Sequence, residues 1–130
     1  MPLDVEFAQP QRFTVRASGE LTLREVEGCI ESLVAHPEID GADVLVDASD
    51  LTNVLSTAEL RTVARAMLRM LDRGLGAVGV VTPNPFIYGV ARMFGVFAEA
   101  VGVQVGAFRE SDGANRWLTD RRGAVSAPQT

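Results

Sequence analysis

The chain contains no lysine, and all 12 of its basic residues are arginine. That absence excludes Schiff-base chemistry, a lysine general base and the lysine of a phosphate-binding loop. Cysteine and histidine are almost as scarce, with Cys29 and His36 the single examples of each. A lone cysteine excludes an internal disulfide, and the two residues together exclude a thiolate or imidazole metal cluster within one chain. No apolar run reaches the length of a membrane span. Asp4 and Glu6 stand where a signal peptide needs positive charge and then an apolar stretch. We therefore expect no integral membrane segment and a cytoplasmic location. Positive charge is also in deficit, 12 basic against 17 acidic residues, and the net charge of -5 sets up a field that repels nucleic acid.

What is present is ordinary for a globular protein: 47% hydrophobic and 22% charged residues in a chain of 130. That length suits one domain with its own core. We place it at residues 1–120. The run R-R-G-A-V-S-A-P-Q-T at 121–130 has no hydrophobic period and reads as a flexible tail.

The periodicities give an ordered set of elements. Residues 4–8 and 12–18 alternate apolar and polar, which predicts a hairpin turning at Gln9, Pro10 and Gln11. Thr22 with Glu25, and Ser56 with Glu59, have the spacing of capping boxes. The first begins a helix that ends near His36 and Pro37. The second begins one long helix, with Leu60, Val63, Ala64, Met67, Leu68 and Leu71 inward and Gly74 as its stop. Val44–Asp47 and Leu75–Thr82 are apolar without alternation, as strands covered on both faces are. Asn84 and Pro85 open a third helix with Phe86, Ile87, Val90, Phe94, Phe97 and Val101 as its core face. Val103–Phe108 is a last strand, and Ser111 caps a short closing helix carrying Trp117 and Leu118. The order β-β-α-β-α-β-α-β-α predicts an α/β fold with a mixed, mostly parallel five-stranded sheet and right-handed crossovers.

Several groups of residues invite a function. Asp47, Ser49 and Asp50 follow the third strand, and Thr82 and Asn84 follow the fourth, where open α/β sheets build sites. We read these five as a recognition loop region, with no metal and no cofactor expected. Arg61, Arg65, Arg69 and Arg73 recur every four residues as a cationic ridge, either a solvated face or a docking strip for acidic or phosphate groups. Gly89, Met93, Val96 and Ala100 form an apolar seam beside the core stripe of the third helix, suited to a dimer contact or an apolar ligand. The run G-L-G-A-V-G at 74–79 spells the dinucleotide fingerprint, but it follows a helix and enters a strand, the reverse of the order that binding requires.

This order of elements, together with V-L-V-D-A-S-D-L-T at 44–52 and A-R-M-F at 91–94, resembles the STAS superfamily, the fold of anti-sigma-factor antagonists. It is similar also to bacterial STAS-like proteins related in name to the CRAL-TRIO lipid-transfer domains. The resemblance implies a regulatory role in which a kinase phosphorylates a serine in an Asp-Ser-Ser-Gly-like run at the start of the second helix. Leu55, Ser56, Thr57 and Ala58 occupy that segment, so Ser56 falls at the phospho-acceptor position while Leu55 and Ala58 replace the Asp and Gly. No nucleophile and base pair is legible. The expectation is a non-enzymatic regulatory or protein-interaction domain with a protein partner or a second copy of itself. A small-molecule or lipid-binding module built on the apolar third helix is the alternative.

Overall fold

The computed structural model describes residues 3–8 and 11–126. Its elements are β1 (Leu3–Ala8), β2 (Arg12–Gly19), α1 (Leu23–Ala35), β3 (Asp43–Leu51), α2 (Thr57–Ala66), α3 (Leu68–Asp72), β4 (Ala77–Val81), α4 (Pro85–Ala100), β5 (Gln104–Phe108) and α5 (Ser111–Ser126). The strands form one sheet in the order β1-β2-β3-β4-β5, antiparallel for the first pair and parallel for the rest. This is the expected α/β class with a mixed, mostly parallel sheet. Of the predicted hairpin turn, Gln9 and Pro10 lie outside the described residues, and Gln11 has φ 48°.

The consecutive parallel order has a direct consequence. Each crossover steps the same way along the sheet, and crossovers share one hand, so α1, α2, α3 and α4 must lie on one face. The core agrees: Ile30, Leu33, Leu60, Val63, Met67, Met70 and Phe94 pack in one cluster with Val15, Val44 and Val78. Strand alternation sends Leu45, Ala77 and Val81 to the other face, where they meet Ala114 and Leu118 of α5. Among the described residues that helix alone covers the second face, and it is not the short closing helix expected. It runs through Ser126, past Asp120, with Arg121 over the Trp117 ring. The expected tail therefore begins inside this helix, and 127–130 lie outside the described residues.

Three sequence expectations are corrected. The long second helix is two, because Met67 has ψ -13° and the spacing of inward residues changes from four to three, Val63 to Met67 to Met70. Met70 is thereby buried at 2% exposure and Leu68, expected inward, is 38% exposed. The third strand does not end at Asp47. It continues to Leu51 beside β2, where Ser18 pairs with Asp50 and Gly19 with Leu51. A bulge lies between these pairs and Arg16–Asp47. Finally, Phe86 is not core but 68% exposed, while Ile87, Ala91, Phe94 and Ala98 are the buried line of α4.

Candidate functional site

The C-terminal edge of the parallel strands gathers the loops that lead into α1, α2 and α4. Both predicted capping boxes are present. Ser56 Oγ accepts the Glu59 N–H at 3.2 Å, and a Glu59 carboxylate oxygen accepts the Ser56 N–H at 2.9 Å. The same reciprocal pair joins Thr22 and Glu25. Asn53 ties the two loops together: its Oδ1 accepts the Leu21 N–H at 2.6 Å and its Nδ2 donates to the Leu21 carbonyl at 2.9 Å. Thr52 N–H donates to the Gly19 carbonyl beside it. Ser56, Thr57 and Ala58 are therefore exposed on a braced loop at the positive end of α2.

The residues of the expected recognition region divide. Ser49 and Asp50 are exposed, but they lie in β3 rather than in a loop. Asp47 is half-buried, and its carboxylate accepts the Ser49 N–H at 3.0 Å. That bond supplies a partner to a backbone donor at the bulge. Thr82 is fully buried. Its Oγ1 accepts the Asn84 N–H at 3.2 Å, and Asn84, exposed, caps α4 through the N–H groups of Phe86 and Ile87. Phe86 stands beside this cap as an exposed aromatic that the sequence pattern had assigned to the core. Its position in the first turn, ahead of the helix packing, is the signal that could have found it.

The arginine ridge is not continuous, because its residues serve different neighbours on α2, on α3 and past its end. Arg61 lies over the Phe97 ring of α4 at 4.4 Å. Arg69 pairs with Glu31 of α1 at 3.7 Å, and Arg73 donates to the Val34 carbonyl. Arg65 is exposed between them. In the α4 seam, Met93 is partly buried against the core, whereas Gly89, Val96 and Ala100 face outward, Val96 at 64% exposure. His36 caps the far end of α1, edge-on to Phe13 and tilted against Phe7, with Nδ1 accepting the Glu38 N–H. It stands at the opposite end of the sheet from Ser49 and Ser56.

Sequence reasoning missed two features. The first is a buried node at the other end of the sheet: Asp43, 5% exposed, accepts the Ala77 N–H at 3.1 Å, with Arg12 4.0 Å away. Arg12 also donates to Asn115 of α5 at 2.7 Å, so the node holds both layers. The second is a cavity of about 200 Å³ between the sheet and α1, α2 and α4. Its lining is wholly apolar and includes Val46, Ala48, Leu60, Val80, Val90 and Cys29. Burial there pushes the Cys29 thiol pKa up. Among the described residues, no three His, Cys, Asp or Glu side chains converge as metal ligands, and no helix is long and apolar enough to cross a membrane.

Solved structures share this architecture. An uncharacterised protein of the DUF3478 family with a SpoIIAA-like fold, from Shewanella loihica PV-4, matches with a TM-score of 0.60 at 18% identity, over 89% of this chain and 91% of that one. The anti-sigma factor antagonist SpoIIAA in its unphosphorylated form matches at 0.58 and 16% identity, over 90% and 96%. The Bacillus cell fate determinant SpoIIAA in the phosphorylated form matches at 0.54 and 13%, over 88% and 98%. No protein-family model and no curated protein sequence matches the chain. The fold is STAS-like.

Proposed function

We propose that this chain is a non-enzymatic, cytoplasmic regulatory domain that docks on a protein partner through the C-terminal edge of its sheet, with the charge on Ser56 as the control. The observation that carries the reading is an exposed serine hydroxyl at the N-terminus of α2 in a STAS-like fold, a fold for which both unphosphorylated and phosphorylated structures of one member are known. The surface around it suits recognition rather than chemistry. Exposed Asn84 and Phe86 begin α4, which packs against α2, and offer one polar and one aromatic contact.

The local electrostatics define the switch. A phosphate on Ser56 gains from the free N–H groups and dipole of α2. It also meets the Glu59 carboxylate that now accepts the Ser56 N–H. Two like charges cannot share that cap, so phosphorylation expels Glu59 and changes both the shape and the charge of the edge. The test is in vivo cross-linking of wild type, Ser56→Ala and Ser56→Asp in the native host, with mass spectrometry of the Ser56 peptide. The expected result is a phosphorylated Ser56 fraction and a partner that Ser56→Ala retains and Ser56→Asp loses. Equal capture by both variants removes the switch.

A further inference from the structure

We propose that the cavity beneath α2 is a binding site for one neutral apolar molecule of about eight to ten non-hydrogen atoms. The inference goes beyond the docking role and does not depend on it. In a packed α/β domain the helix side of a central strand is closed to solvent. Here that holds for only half of each central strand. Val44 and Val78 are buried at 2% and 4% exposure, but Val46 and Val80, one pleat further on the same face, are only partly buried. α2 approaches α1, α3 and α4 closely, and its Leu60 and Val63 reach the cluster that holds Val44 and Val78. The space left under it opens toward the C-terminal edge, where partly exposed Leu21, Leu51 and Val54 form the rim.

Size and chemistry select the occupant. An enclosed apolar cavity of about 150 Å³ takes up benzene, and the 200 Å³ here, open at one edge, has room for a slightly larger molecule. The lining contains no charged side chain. In sequence, the exposed Glu20 and Asp50 stand next to the rim residues Leu21 and Leu51. Arg61, the nearby cation on α2, is turned over Phe97. A ligand with an anionic head would therefore meet no countercharge within this lining, whereas a neutral one loses nothing. The outer seam of Gly89, Val96 and Ala100 takes no part, since α4 faces the cavity with Ile87, Val90, Ala91 and Phe94.

The experiment uses the purified full chain with toluene, 1-octanol and octanoate as probes, read by calorimetry and by methyl NMR of the valines. The expected result is saturable one-to-one binding of toluene and 1-octanol, with Val46 and Val80 resonances shifted and octanoate at least tenfold weaker. Ala48→Leu and, separately, Val46→Phe fill the space, and each should weaken 1-octanol at least tenfold while raising the thermal midpoint. Either variant suffices if the other fails to fold. Absence of saturable binding by both neutral probes overturns the proposal, as a site closed by collapse of α2 would. Undiminished binding in a folded, cavity-filled variant places the ligand elsewhere and also overturns it. Octanoate binding as tightly as 1-octanol overturns the assignment to a neutral ligand.

Discussion

Replacing Gly76 by alanine tests whether the Asp43 node holds the sheet as the structure describes. Gly76 lies just before β4, and its φ is not in the left-handed region, so alanine is conformationally acceptable there. On backbone entropy alone the change should stabilise the protein by about 0.4–1 kcal/mol. A Cβ at this position, however, would overlap Asp43 Oδ1 and press on the Ala42 carbonyl at 3.3 Å. The carboxylate must move, and it can do so only by giving up the Ala77 N–H that it accepts at 3.1 Å. Loss of a buried bond to a charged acceptor costs about 1.5–3 kcal/mol, so the net destabilisation is about 1–2 kcal/mol. For 130 residues, at about 2.1 cal/mol/K per residue, that is a fall of roughly 4–8 °C in Tm. In an Asp43→Ala background, itself destabilised, the carboxylate overlap is gone and only the 3.3 Å approach to the Ala42 carbonyl remains, so Gly76→Ala should be close to neutral. Urea and thermal unfolding of the four proteins, followed by circular dichroism, gives the coupling. Additivity within about 0.5 kcal/mol would refute the argument, since residues in contact should not add.

Three further outcomes follow from the same geometry. Ser56→Ala removes the acceptor for the Glu59 N–H and should lower unfolding stability by about 1 kcal/mol, with Ser56→Asp recovering most of it. Leu118 is fully buried between α5 and the second face of the sheet. Leu118→Ala should therefore cost about 2–5 kcal/mol and reduce the near-ultraviolet dichroism of Trp117. Because burial raises the Cys29 pKa, folding favours its neutral thiol. That contribution is complete below the ordinary thiol range and is lost as pH rises through the raised folded value. Iodoacetamide labelling of Cys29 should accordingly be slower in the native protein than in urea at pH 8, and it should approach the unfolded rate only at higher pH. Equal rates at pH 8 would show that the thiol is not desolvated.

Local chemistry was legible wherever a short-range rule acts alone. Thr22 with Glu25, Ser56 with Glu59, and Asn84 before Pro85 each announce a helix start by side-chain reach of two or three residues, and all three form. Gly74, with φ 91°, stops the preceding helix as expected, which also disposes of the glycine fingerprint at 74–79. The rule failed where a long-range partner intervenes. Asp47, Ser49 and Asp50 look like the start of a loop because they are polar. Pairing with β2 instead carries the strand past Asp47, the last residue of β3 paired with β4, to Asp50 and Leu51, with a bulge absorbing the mismatch. Phe86 looks like core because it is aromatic, but the first turn of α4 projects past what could cover it.

The candidate site shows the same division. Its residues were visible as a capped serine after an apolar strand, whereas their assembly was not: the Asn53 bridge to Leu21 spans 32 residues. The arginine ridge was periodic in sequence, yet the break at Met67 and the opposing attractions of Phe97 and Glu31 divide it. The amino-acid sequence by itself determined the element order, the helix starts and the absence of lysine, thiolate-cluster and imidazole-cluster chemistry, because these depend on composition and on contacts within one turn. Only the tertiary structure decided which face α5 covers, how far β3 extends, which apolar residues stay exposed and that a cavity lies beneath α2. Those features depend on how rigid layers with fixed crossover handedness fit together, and no single stretch of chain contains that information.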